Sequence, residues 1–170
     1  MQKKTKFTKE LPLFPLTVNV LPGGYLPLQI FEPRYLDMVK ECMSNEIGFC
    51  VVLLRGQQEM KSTNLPDHSP IGTYVEIIDF NQLENGLLGI TVQGKYRIKI
   101  IDRRVQEDGL VIGDSIEHPE EDESVSLEPK YKEIWKILRE ISDHEEIKKL
   151  NLNIDFDNSS SVAYNLASLL

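Results

Sequence analysis

The sequence predicts an α+β fold, with a β-rich body of about six strands carrying one helix, followed by a helical carboxy-terminal part. Three observations carry that expectation. An apolar stretch at residues 11–35 is punctuated by Pro12, Pro15, Pro22, Pro27 and Pro33. Proline fixes its own φ and pushes the preceding residue into extended geometry, so this stretch is not a helix. Residues 47–116 alternate short β-branched runs with the turn signals Asn85-Gly86 and Asp108-Gly109. Beyond an acidic stretch at 117–128, the apolar residues recur at helical spacing.

In chain order, apolar segments at 11–20 and 25–30 flank Leu21-Pro22-Gly23-Gly24, a tight reversal needing positive φ. Proline removes a ladder donor, which assigns these strands to a sheet edge or to irregular positions. Pro33 opens a helix, whose apolar stripe is Tyr35, Met38, Val39, Cys42 and Met43 and which Ser44, Asn45 and Gly48 end. The run IGFCVVLL at 47–54 reads as a central strand covered on both faces. Residues 55–70 are polar and turn-rich and read as a long loop. Strands at 71–80, 87–92 and 96–105 follow, the first two joined by a hairpin in which both Asn85 and Gly86 tolerate positive φ, with Gly94 a bulge or second turn. Asp108-Gly109 leads into a strand at 110–116. The stretch 117–128 holds six acidic residues without Lys or Arg and reads as a linker. Pro129 opens a helix with Tyr131, Ile134, Trp135, Leu138 and Ile141 on one face. A short helical turn at 143–150 and a last helix from Val162, capped from within 158–161, complete the order. The expected division is a β-rich subdomain at 1–116, a linker at 117–128 and a helical subdomain at 129–170 that stops in mid-pattern.

Composition narrows the function. A net charge of -8 argues against unspecific affinity for phosphate backbones or anionic lipid. Lys3, Lys4, Lys6 and Lys9 read as a solvated arm, because Pro12, Pro15 and Asn19 interrupt a would-be signal sequence. Cys42 and Cys50 read as buried thiols of a reducing compartment, hence a cytoplasmic protein. Residues 89–96 fit G-x-x-x-x-G-K, yet Tyr96 stands where Ser or Thr must reach magnesium and β-branched residues fill the loop. His68, His118 and His144 read as solvated, none beside a nucleophile in a glycine elbow. The cluster 120–123 lacks the spaced ligands of a calcium loop. No catalytic residue, metal or cofactor is implied.

The segments LPLFPL, VLPGG and LPLQIFEPRYLDMV resemble the opening of the Lon-protease amino-terminal domain family, which also occurs as small stand-alone proteins and within cereblon. Gly72-Thr73 with Ile77 is similar to that family's G-T-x-x-x-I strand, and Gly94 with Arg97 to its G-x-x-R motif. Leu21 stands where the family often has an aromatic residue, and Tyr96-Arg97-Ile98 replaces the commoner Arg-Phe pairing. The resemblance implies a PUA-like pseudo-barrel, a further helical stretch beyond residue 170, and a non-enzymatic module that engages peptide or partly unfolded protein. Full-length Lon's ATPase motifs and Ser-Lys dyad have no counterpart here. Leu21, Tyr25, Phe31 and Arg34 are the candidate partner-binding residues; Leu21 and Tyr25 are the apolar ones expected to be most exposed, whereas the plainer expectation for Phe31 is a core position and for Arg34 an ion pair with Glu32. Two rivals remain. An RNA-binding module would show a basic face from Lys95, Arg97, Lys99, Arg103 and Arg104, and a small-molecule enzyme would need a deep pocket with converging polar groups.

Overall fold

The computed structural model describes residues 9–55, 67–118, 132–145, 154–156 and 158–168. Within them the order is β1 (Lys9–Leu16), β2 (Tyr25–Ile30), α1 (Pro33–Ser44), β3 (Phe49–Leu54), β4 (His68–Gln82), β5 (Leu88–Val105), β6 (Val111–Glu117), α2 (Lys132–Ser142) and α3 (Ser159–Ser168). The sheet runs β2-β5-β4-β3-β1-β6, and β5 also pairs with β6. That extra pairing closes five strands into a barrel and leaves β2 as a flap on β5. Only β1 and β3 run parallel; the other pairs are antiparallel.

The prolines fit through stagger. β1 lies between β6 and β3, but β6 pairs with residues 9–13 and β3 with residues 13–16. Pro12 therefore faces only Ile112 of β6, and Pro15 only Val52 of β3. Each keeps one side without a strand, where a missing donor costs nothing. Pro27 lies on β2, which pairs with β5 alone.

β3 is apolar throughout because its two faces serve two cores. Phe49 and Val51 join the cluster of Phe14, Tyr35, Met38 and Ile90 under α1, while Cys50 and Val52 join Leu11, Leu13, Tyr74 and Ile98. Helix α1 buries Tyr35, Met38, Val39 and Cys42 on the first cluster, as the stripe predicted, but leaves Met43 exposed. It ends in a Schellman motif: Ile47 N–H donates to the Cys42 carbonyl at 3.0 Å and Glu46 N–H to that of Met43 at 3.5 Å. Glu46 thus occupies the left-handed position, at φ +52°, that glycine usually fills.

Several sequence expectations need correction. The segments around Pro22-Gly23-Gly24 do not pair with each other, and β1 stops at Leu16, short of the predicted residue 20. The two glycine hairpins are not built on two positive-φ residues; only Gly86 and Gly109, at φ +81° and +85°, are left-handed. In each, the glycine N–H closes a turn three residues back, onto Leu83 or Gln106, and Asn85 Oδ1 or Asp108 Oδ1 accepts from Leu87 or Leu110. Of the two readings of Gly94, the bulge holds and the second turn does not: the strands predicted at 87–92 and 96–105 are one, β5, with a register shift against β4 at Gly94. β4 begins at His68, inside the predicted loop; residues 56–66 of that loop lie outside the described residues. α3 starts at Ser159, because Asn158 Oδ1 caps Ser161 N–H at 3.0 Å. Most of the acidic linker, with Glu120, Glu121, Asp122 and Glu123, together with Pro129, Tyr131 and residues 146–150, also lies outside the described residues. In α2, Leu138 is buried, with Lys136 and Glu140 exposed opposite.

Candidate functional site

The residues between β1 and β2 are bolted to the barrel. Gly23 N–H donates to the Gly94 carbonyl and Gly94 N–H to that of Gly24, both at 2.9 Å. A Cβ on Gly94 would lie 2.3 Å from the Leu21 carbonyl oxygen, so glycine is what permits this approach. The Thr73 hydroxyl donates to the buried Val20 carbonyl at 2.7 Å. Gly72 faces Cys50 Sγ, 2.5 Å from where its Cβ would stand. These glycines and the threonine make a joint.

Four residues singled out in the sequence sit on this frame without forming one cluster. Leu21 and Tyr25 are half-buried, not the most exposed apolar positions: the first belongs to the docked turn, its carbonyl accepting from Gly24 N–H at 2.9 Å, and Gln93 Nε2 donates to the hydroxyl of the second at 3.1 Å. Phe31 is 64% exposed at the far end of β2, not a core residue. Six residue steps, each rising about 3.3 Å in extended chain, separate it from Tyr25. Arg34 pairs with Glu32 at 2.7 Å, donates to the Gly109 carbonyl at 2.8 Å, and lies over the Tyr35 ring at 4.7 Å. It pins the start of α1 to the β5–β6 hairpin.

Sequence reasoning missed one apolar groove. A groove of about 390 Å³ opens between the last turn of α1 and β4, lined by Cys42, Met43, Ile47, Ile77, Ile78 and Phe80 with Glu46, Glu76 and Asp79. Phe80 is 59% and Ile78 47% exposed. The sequence carried no local signal for it: a register shift between Ile77 and Asp79, visible only in the pairing with β5, breaks alternation and leaves the apolar strand end with its side chains outward. The carboxylate of Glu76 meets Lys95 at 3.1 Å.

Burial pushes the Cys42 thiol up to about 11, so it stays protonated, and Cys50 is pushed higher still by the same cause. Both cysteines are free and buried. His68 is buried rather than solvated; Nδ1 lies 2.7 Å from the Ser69 carbonyl, Nε2 has no partner among the described residues, and burial lowers its pKa. Residues 89–96 are strand, with no phosphate cradle. Among the described residues no cluster of three His, Cys, Asp or Glu could hold a metal, and no helix is long and apolar enough to cross a membrane. The basic residues of β5 are largely engaged: Lys95 with Glu76, Arg97 Nη1 with the Tyr164 hydroxyl at 3.2 Å, and Arg104 with Glu10 at 2.9 Å and Asp114 at 3.5 Å.

With this geometry in hand, known proteins supply a context. Residues 10–170 match the family model of the ATP-dependent protease La (LON) substrate-binding domain. A crystal structure of a Lon N-terminal domain protein from Xanthomonas campestris superposes with a TM-score of 0.70 at 31% identity, covering 95% of this chain and 83% of that one. Protein cereblon of Gallus gallus is 29% identical over 59% of this chain and 22% of its own length. Lon protease 2 of Myxococcus xanthus is 26% identical over 81% of this chain and 17% of its own length. The chain thus spans about a fifth of the length of these curated relatives.

Proposed function

The chain belongs to the ATP-dependent protease La (LON) substrate-binding domain family, and from that premise we propose that it is a non-enzymatic module that engages peptides or partly unfolded protein for substrate recognition. The observation that carries the reading is the open groove with Met43, Ile47, Ile78 and Phe80 outward on a closed, glycine-jointed barrel. An unfolded segment offers apolar side chains that a folded protein hides, and burying them here is worth about 25 cal/mol per Å². Phe31 adds a second exposed contact at the opposite end of α1; Leu21, Tyr25 and Arg34 enter the proposal as residues that hold the frame on which both contacts sit. A reducing, cytoplasmic setting and a division into a β-rich part, acidic linker and helical part belong to the same reading. RNA binding is disfavoured by the pairing of Lys95 and Arg104 with carboxylates.

The test is fluorescence anisotropy of labelled, reduced and carboxymethylated lactalbumin, which stays unfolded, against native lactalbumin. The protein is expected to bind the unfolded form and ignore the folded one. Equal binding to both, or to neither across accessible concentrations, would remove the proposal.

A further inference from the structure

The groove coincides with an interrupted lane of the sheet. β4 pairs with β3 only as far as Val75, which faces Phe49, whereas its pairing with β5 continues to Gln82. The lane that β3 would occupy if prolonged past Phe49 therefore runs alongside residues 76–82. The chain itself leaves that lane: Gly48 gives its N–H to the Tyr74 hydroxyl at 2.7 Å, and Glu46 and Ile47 curl into the Schellman turn. Along residues 76–82 the side away from β5 has no strand partner among the described residues. Phe80 N–H instead donates to the carboxylate of its neighbour Asp79 at 2.9 Å, as an orphaned edge donor does.

Resting on the reading above, we infer that this lane accepts one extended segment of a partner polypeptide by β-strand addition, one whose apolar side chains alternate with basic ones. Main-chain hydrogen bonds to residues 76–82 supply the pairing, and Met43, Ile47, Ile78 and Phe80 receive the apolar side chains. Charge selects the occupant. Glu46, Glu76 and Asp79 line the same groove, and among the described residues only Glu76 has an ion-pair partner, Lys95. A second copy of this chain would set carboxylate against carboxylate along the paired edges, which opposes self-association. A basic segment finds complementary charge on arrival.

The probe is a fluorescein-labelled, end-blocked peptide, Lys-Val-Lys-Val-Lys-Val-Lys, titrated with the full chain and followed by anisotropy. Replacing its lysines by glutamates is expected to weaken binding at least tenfold. N-methylation of one alternate set of its amides is expected to weaken binding at least tenfold, and methylation of the other set to be tolerated, since only one set faces the protein in a paired strand. Ile78→Ser and Phe80→Ser, both at exposed positions, are expected to cost tenfold each with unchanged circular dichroism. Unfolded lactalbumin serves as a parallel ligand. If it binds while the peptide does not, or if both methylated sets and both variants bind as the parents do, strand addition at this edge is overturned and the broader reading stands. If neither ligand binds, both fall. Concentration-dependent self-association abolished by Phe80→Ser would make the occupant a second copy and overturn the basic-peptide assignment.

Discussion

Gly94→Ala probes the joint that holds the proline-rich connection to the barrel. The new Cβ would lie 2.3 Å from the Leu21 carbonyl oxygen and 3.0 Å from its carbon. Both are backbone atoms that cannot swing away, so the turn must lift by roughly 1 Å to reach ordinary contact. Lifting it stretches the two 2.9 Å hydrogen bonds between Gly94 and the Gly23-Gly24 pair, each worth about 1 kcal/mol net. Overpacking adds about 1 kcal/mol or more. The sum is about 3 kcal/mol, or a fall in Tm of about 10 °C for a chain of this size. Gly86→Ala is the control: it meets nothing within 4 Å but sits at φ +81°, so it costs only the left-handed penalty of about 1 kcal/mol. Urea denaturation followed by circular dichroism measures both. If Gly94→Ala costs no more than Gly86→Ala, close backbone approach is not what the glycine provides.

Glu46→Gly relieves the left-handed residue at the end of α1 and is expected to stabilise the protein by about 1 kcal/mol in the same urea titration; no gain would mean that Glu46 is held there without strain. Thr73→Val strips the hydroxyl donor from the buried Val20 carbonyl and is expected to cost about 2 kcal/mol, since an orphaned buried acceptor carries its desolvation penalty. Burial lowers the His68 pKa below its ordinary 6.5, so the unfolded chain binds the proton more readily than the folded one. That contribution to stability is present above pH 6.5 and is lost as pH falls towards the folded value. His68→Leu should flatten the stability profile between pH 7.5 and 5.5 relative to wild type. With Cys42 pushed up to about 11 and Cys50 higher, the Cys42 thiolate fraction at pH 8 is about one in a thousand. Ellman's reagent should therefore label the native chain slowly and both thiols at once in denaturant.

The fold was legible where a local rule and the tertiary context agree. The apolar stripe of α1, the doubly covered run of β3 and the glycines of the two hairpins are each dictated by neighbouring residues, and they fall where the sequence indicates. Partners at long range were not legible. Leu21-Pro22-Gly23-Gly24 encodes a turn, but that the turn docks on Gly94 instead of joining two paired strands depends on a contact some seventy residues away. His68 looked solvated because its neighbours Asp67, Ser69 and Pro70 read as loop, whereas Leu54 opposite draws it into the ladder. The apolar groove was hidden for a related reason. Ile78 and Phe80 read as ordinary members of a strand, and only the ending of β3 at Phe49, together with the shift in register, turns them outward beside an edge that no described strand covers.

Hydrogen exchange of the full chain, with and without saturating reduced and carboxymethylated lactalbumin, tests the central claim most directly. New protection in residues 76–82 and 43–47, with the rest of the barrel unchanged, is the expected result. Binding that leaves those two segments as open to exchange as in the free protein would contradict the account.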